Sequence, residues 1–201
     1  MTYGTVFAII VLILDERSDP RLLGKMISLA SFFIKQEVKC MIVKDARGNE
    51  FLELIYIDES EVELIYENIT HSLVVVKIGN EYLMGWNHWR KNWEIFGGCR
   101  DKGESIRDCI IREGLEELGL KNVNYTYIGL MHHKMAPGYF NPEWHEEYGA
   151  LYGVTLPVGM LEIIEKNRID KEEVERLTFY SQINEKESIA AIDEALLKYW
   201  D

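Results

Sequence analysis

The segment from Gly97 to Leu120 constrains the fold of this 201-residue chain more than any other part of its sequence. Its letters are GGCRDKGESIRDCIIREGLEELGL: two glycines, a loop, and a run with helical periodicity that stops at Gly119. The sequence therefore predicts a helix from about Glu104 to Leu118. One face would be apolar and would pack on a sheet; it would consist of Ile110, Ile111, Gly114, Leu115 and Leu118.

Three glutamates would occupy the opposite face of this helix. Glu113, Glu116 and Glu117 are spaced i, i+3 and i+4, so their carboxylates share one side. Like charges at this spacing destabilise a helix by roughly 0.2–0.5 kcal/mol per pair, and the helix dipole disfavours them near the C-terminus. A divalent cation bound to this face would offset both costs, because Mg²⁺ prefers oxygen ligands. Taken alone, such a triad is more often a solvated surface.

The neighbouring residues favour a metal site over a solvated surface. Gly97 and Gly98 allow the backbone to approach a ligand closely, and their carbonyl oxygens could bind a cation. Arg112 lies two turns beyond Glu104 and can pair with a nearby carboxylate to hold it in place.

The segment resembles the Nudix box, G-x5-E-x7-R-E-U-x-E-E-x-G-U, in which U is a bulky apolar residue. The fixed positions are filled by Gly98, Glu104, Arg112, Glu113, Glu116, Glu117, Gly119 and Leu120. One position departs from the pattern, because the first U is Gly114. Glycine inside a helix costs roughly 0.5–1 kcal/mol relative to alanine, so we expect close backbone packing at this position.

The resemblance implies an α/β fold, an α/β/α sandwich with a mixed sheet, and an enzyme that hydrolyses a nucleoside diphosphate linked to another group. It implies that Mg²⁺ or Mn²⁺ binds the Gly97 carbonyl and the three glutamate carboxylates. Glu104 and Arg112 would form a supporting pair that orients the helix. Water would attack phosphorus in a small phosphorylated substrate.

The general base stays open, because the family draws it from different places. Glu113 or Glu116 of the motif could serve. Among later residues Glu173 is the first choice, since it lies in a loop beyond a predicted strand. Glu172 is nearly as good, and Glu146 or Glu147 form a third choice. Each of these four also fits a surface carboxylate.

The sequence does not identify one substrate. Arg90 precedes the motif by a few residues and could contact phosphate, while Trp89 and Tyr139 could stack on a base. All three also fit ordinary surface or rim positions. Within the same fold, an isomerase of isoprenoid diphosphates is an alternative, since Cys99 lies beside the glycines. A nucleotide sensor without catalysis is another, although the complete acidic triad disfavours it.

The chain divides near residue 70 into a Nudix domain, residues 71–201, and an N-terminal α+β extension, residues 1–70. In the domain we expect a β-hairpin, three more strands and a final helix: Ser72–Ile78 with Glu81–Trp86, Trp93–Phe96, Tyr125–Met131, Gly149–Leu156 and Ser188–Trp200. In the extension we expect a strand, a helix and two strands: Thr5–Leu14, Arg21–Gln36, Val38–Val43 and Phe51–Ile57. Glu59–Asn68 could be a short helix or further sheet. We hypothesise that the extension forms a homodimer interface.

Composition narrows the partners and the compartment. The net charge of −12 argues against binding to a nucleic-acid polymer, because such binding requires Lys and Arg to neutralise phosphates. Three cysteines without metal-site spacing fit a reducing interior, so we expect a cytoplasmic protein. The apolar run Val6–Leu14 is shorter than the roughly 20 residues that span a bilayer, so we expect no membrane partner.

Overall fold

The computed structural model describes residues 42–139, 141–184 and 187–201. The strand predicted at Thr5–Leu14, the helix predicted at Arg21–Gln36 and most of the strand predicted at Val38–Val43 lie outside these residues. Within the described ranges, no helix is long and apolar enough to cross a membrane.

Nine strands and four α-helices make up the described part of the chain. The strands are β1 Val43–Lys44, β2 Glu50–Ile55, β3 Ile69–Ile78, β4 Glu81–Asn87, β5 Asn92–Glu94, β6 Phe96–Cys99, β7 Thr126–Met135, β8 His145–Leu156 and β9 Val174–Phe179. The helices are α1 Glu59–Ile65, α2 Ile106–Leu118, α3 Met160–Asn167 and α4 Ala191–Leu196, and 3₁₀ turns follow β9 and α4.

All nine strands form one mixed sheet. The order is β1-β2-β7-β8-β3-β4-β5, and β6 and β9 pair with β3 and β4. The central pair β3–β8 is parallel, with Leu73 opposite Leu151, while the other pairs are antiparallel. The predicted hairpin at Gly79 is present, and this glycine has a φ of 62° in the turn. The predicted α/β fold with a mixed sheet is confirmed.

The sheet buries a separate apolar core on each face. Successive residues of β3 alternate between them, so Val74 joins one core and Val75 joins the other. The first core lies against α1, α2 and α3, and the second lies against α4, whose Leu196 is fully buried. This arrangement gives the three layers of an α/β/α sandwich.

Residues 43–65 share the sheet and the core with the rest of the described chain. Strand β2 pairs with β7, and its Phe51 is fully buried. Of the two alternatives for residues 59–68, the structure has the short helix α1, whose Val62 packs into the first core.

The C-terminal part differs from the sequence-based expectations in two ways. Helix α3 and strand β9 are present but were not predicted. The final helix, predicted over Ser188–Trp200, is limited to Ala191–Leu196 and a 3₁₀ turn. It starts later because the backbone of residues 188–190 hydrogen bonds to Trp93 of β5 and is extended there.

Candidate active site

Helix α2 is closed at both ends by its own sequence. The Ser105 hydroxyl accepts the backbone N–H of Asp108 over 3.0 Å, so the helix starts at Ile106 and not at Glu104 as predicted. Gly119 ends the helix as predicted, with a φ of 64°, and its N–H donates to carbonyls of the last turn.

The buried side of α2 differs from the predicted apolar face. Ile111 was expected to pack on the sheet, but it is 48% exposed. Glu113 and Glu117 are instead buried, at 9% and 6% exposure, while Glu116 is half-buried. Ile110, Gly114 and Leu118 are buried as predicted, so the apolar face is present. Two of the three glutamates also lie on the buried side, so the prediction that all three share an opposite acidic face was wrong.

Glu113 fits against the sheet because the two central residues of β6, Gly97 and Gly98, carry no side chains. A Cβ atom on Gly98 would lie 2.5 Å from the Glu113 carboxylate. Gly97 has a φ of 124°, and a Cβ there would lie 2.1 Å from the Ser72 carbonyl oxygen. The backbone N–H of Gly97 donates to the Glu117 carboxylate over 2.7 Å. Gly98 thus makes room for the Glu113 carboxylate, and Gly97 holds the Glu117 carboxylate through its backbone.

The expectation of close packing at Gly114 is confirmed. A Cβ atom at this position would lie 1.9 Å from the hydroxyl oxygen of Tyr125. The tyrosine ring, which enters from the segment before β7, fills the space that a bulky residue of the Nudix box would take.

Arg112 links the acidic residues of the site. Its guanidinium forms a two-pronged pair with Glu104, over 2.9 and 3.0 Å. The same group donates to Glu113 over 2.7 Å and to Glu116 over 3.2 Å, and it also reaches the Cys99 carbonyl over 2.9 Å. One cation thus fixes three carboxylates relative to the loop before the helix.

The site carries more negative charge than its own cation neutralises. Arg112 lowers the pKa of Glu104 to about 2. Burial raises the pKa of Glu113, and raises that of Glu117 well above its usual value, with further contributions from neighbouring carboxylates. Among the described residues, no three acidic, His or Cys side chains already stand as a metal cage, because Arg112 and Gly97 engage the glutamate oxygens. Buried, electrostatically crowded carboxylates are nevertheless the donors that suit a hard divalent cation, so the residues fit such an ion.

Glu173 lies next to this group, in the loop before β9. Its charge raises the pKa of both Glu113 and Glu117. Its carboxylate accepts from the Asn87 side chain over 3.1 Å and from Arg90 over 3.3 Å. Asn87 is buried at the end of β4. The sequence did not indicate it as a site residue, because it lies outside the motif and resembles any polar residue before a turn.

The other predicted candidates are arranged differently. Glu172 is exposed, and Glu146 and Glu147 on β8 pair with His132 and His145. Arg90 is engaged by Glu94, over 2.8 Å to each carboxylate oxygen, as well as by Glu173.

The two aromatic candidates for substrate stacking are solvent-exposed. Trp89 lies in the turn between β4 and β5, and Tyr139 lies in the loop between β7 and β8. Trp89 is not part of an aromatic pair among the described residues.

A cavity of about 1160 Å³ lies beside strand β6. Gly97, Gly98, Cys99 and Glu104 form the part of its wall nearest to the glutamates. The glycines therefore contact the acidic group and also line an open space large enough for a small molecule.

Comparison with known proteins connects this geometry to one family. The family model of the NUDIX domain matches residues 64–194. A pyrophosphohydrolase from Bacillus subtilis, solved as a mutant, is 17% identical, with a TM-score of 0.54 over 79% of this chain and 92% of that one. A MutT NUDIX hydrolase from Burkholderia pseudomallei is 13% identical, with a TM-score of 0.49 over 67% and 98% of the two chains. A comparison with curated proteins finds no match.

Proposed function

Because this chain belongs to the Nudix family and is a Nudix hydrolase, we propose that it cleaves the diphosphate linkage of a nucleoside-diphosphate-type substrate by attack of water on phosphorus. The observation that supports the proposal is the pair of buried carboxylates, Glu113 and Glu117, which lie against the two glycines of β6. Arg112 lies beside them and pairs with Glu113.

Mg²⁺ or Mn²⁺ would be held by the carboxylates of Glu113, Glu116 and Glu117 and by the carbonyl of Gly97. When bound, such ions neutralise phosphate charge and lower the pKa of a water molecule. The chain's own contribution is positioning. Arg112 fixes Glu113 and Glu116 in one orientation, and the N–H of Gly97 fixes Glu117.

Glu173 is our first choice for the base that takes a proton from the attacking water. Asn87 and Arg90 both donate to one of its oxygens, which restrains the carboxylate beside the glutamates. In this proposal Arg90 is a positioning residue, because its guanidinium is held by Glu94 and Glu173. Glu113 and Glu116 are the alternative bases, and Glu104 acts through Arg112.

The test is a screen with Mg²⁺ or Mn²⁺ against nucleotide sugars, ADP-ribose, nucleoside triphosphates, dinucleotides and isoprenoid diphosphates, with phosphate or pyrophosphate, measured after coupling, as the readout. We expect metal-dependent turnover of at least one nucleotide. In Glu117→Gln it should fall by about 10²-fold or more, without loss of folding, because Gln can still accept from Gly97. The exposed Glu162→Gln on α3 is the matched control.

Other outcomes would contradict the proposal. Rearrangement of an isoprenoid diphosphate without phosphate release would favour the isomerase, in which Cys99 becomes the residue to test. Nucleotide binding without turnover would favour a sensor. An N-terminal homodimer interface remains a proposal, which mass measurement in solution would test. A cytoplasmic location also remains a proposal.

A further inference from the structure

The cavity beside β6 opens on the face of the sheet opposite helix α2. His71 and Leu73 of β3 line it, whereas Ser72 between them points the other way and donates its hydroxyl to the Ile106 carbonyl of α2 over 2.9 Å. The far wall comes from α4 and the residues that lead into it, including Asp193 of α4 and Ile189 before it.

The cavity and the glutamates share one thin wall. Gly97 donates its N–H to Glu117 and also lines the cavity. Gly98 lines the cavity as well, and it lies close to the Glu113 carboxylate. At these two residues only backbone separates the glutamates from the cavity, so the rest of a molecule whose diphosphate lies at the glutamates would enter this space around β6. This step rests on the function proposed above.

The charges of the wall do not suit a second phosphate group. Of its three arginines, Arg90 is paired with Glu94, and Arg100 is held by Glu63 and by backbone carbonyls. The third, Arg47, lies at the turn between β1 and β2. Carboxylates outnumber arginines along the wall, so the cavity favours an uncharged group that carries hydrogen-bond donors.

The Asp193 carboxylate in the wall could form hydrogen bonds to such a ligand. One oxygen of Asp193 accepts the N–H of Ile95 over 3.0 Å, and burial raises the pKa of this carboxyl to about 7. The Nε2 atom of His133, by contrast, is fully buried and closed off from the cavity, although it has no partner among the described residues. The wall also carries apolar side chains: Leu73, Ile95, Met135, Ile189 and Ile192.

We propose that this cavity binds the nucleobase of the substrate, with Asp193 accepting hydrogen bonds from N–H groups of the base. Apolar side chains on both walls suit the faces of a flat ring. Asp193 is then a specificity-determining residue and takes no part in the reaction at phosphorus.

The experiment measures the binding of AMP, GMP, CMP and UMP by calorimetry, with Mg²⁺ present throughout. These monophosphates lack a diphosphate linkage, so their binding can be read whether or not the protein hydrolyses nucleotides. We expect one base to bind tightest and its Kd to rise about 10-fold or more in Asp193→Asn. Asparagine can keep the acceptor for Ile95 but presents an N–H₂ donor where the base needs an acceptor.

Two matched variants protect this result against trivial causes. Glu194→Gln changes the exposed neighbouring carboxylate on α4 and should leave binding unchanged. Leu73→Trp should fill the cavity and weaken all four ligands, and thermal unfolding checks that each variant folds. Equal Kd values in the wild type, Asp193→Asn and Leu73→Trp would overturn the proposal, as would no binding of any monophosphate.

The outcomes also separate this proposal from the proposed hydrolase function. Base-selective binding that depends on Asp193, without turnover of any diphosphate, would support the nucleobase site and contradict the hydrolase function. Turnover that has the same KM for all four bases, unchanged in Asp193→Asn, would support the hydrolase function and contradict the nucleobase site.

Discussion

Single residues of this site act through the space they leave open as much as through their charge. Gly98 lets Glu113 lie against β6, Gly97 lets β6 lie close to the Ser72 carbonyl of β3, and Gly114 lets the ring of Tyr125 reach the helix backbone. In each case the position of a carboxylate, of β6 or of α2 depends on a missing Cβ atom.

Gly114 gives the sharpest prediction at this scale. Alanine favours helix by about 1 kcal/mol over glycine, yet Gly114→Ala should lower the free energy of unfolding by roughly 1–3 kcal/mol. The reason is that its Cβ would overlap the Tyr125 hydroxyl. Urea unfolding measures the change, and Tyr125→Leu in the same chain should recover part of it. A stabilised Gly114→Ala protein would show that the ring moves aside freely.

The motif residues could be identified from the sequence, because their spacing is specific. That Arg112 pairs with Glu104 also agrees with what the resemblance implied. The burial of Glu113 and Glu117 could not be predicted, since periodicity assigns carboxylates to the polar side of a helix. It depends on which strand lies beneath α2, and local patterns do not contain that information.

At the scale of elements, helix α1 holds the first turns of α2 in place. Arg107 on α2 pairs with Glu59 on α1, and Glu59 also accepts the hydroxyl of Tyr152 on β8 over 2.7 Å. The Arg107 guanidinium lies over the Tyr152 ring, 4.9 Å from its centroid. Patterns within single elements could not reveal this link, because its three residues come from distant parts of the chain.

Removing this link should loosen the helix that carries the glutamates. We expect Glu59→Gln to lower the free energy of unfolding by about 1–2 kcal/mol, a modest cost because both partners are partly exposed. Urea unfolding is the measurement. Glu61→Gln, which changes an exposed carboxylate on the same helix, is the control. An equal loss in both variants would indicate a general effect of charge on α1.

At the scale of the whole molecule, a histidine of β3 and a histidine of β7 contact each other across β8, the strand between them. The His71 ring lies over Gly149 of β8, where a Cβ atom would be 2.2 Å from its Nε2, and its centroid is 5.3 Å from that of His133 on β7. Burial lowers the pKa of His71 to about 4, opposed by the Glu147 charge. Burial, with the neighbouring His71 and His132, lowers that of His133 to about 3.

These shifts predict how stability depends on pH. Both pKa values in the fold lie below the ordinary value of 6.5, so below about pH 6.5 the unfolded chain binds more protons than the folded chain. The stability that the two neutral imidazoles contribute is complete above about pH 6.5 and is lost progressively toward about pH 4 and 3. Between about pH 7 and 5, the free energy of unfolding should fall less in His133→Leu than in the wild type, by about 1–2 kcal/mol.

Urea unfolding at several pH values tests this prediction, with the exposed His88→Gln as the control. An unchanged dependence on pH in His133→Leu would show that the imidazole of His133 does not stay neutral in the fold. Acidic groups also titrate below about pH 5, so the comparison between variants is more informative than the wild-type curve.

The parallel pairing of β3 with β8 has a consequence for how the chain folds. Leu73 meets Leu151 only after the intervening hairpin, the helix α2 and strand β7 have been synthesised and folded back across the sheet. Closing so long a loop is entropically expensive before any contact repays it. The centre of the sheet should therefore form late in refolding, and until then the apolar side chains of β3 lack their main partner strand.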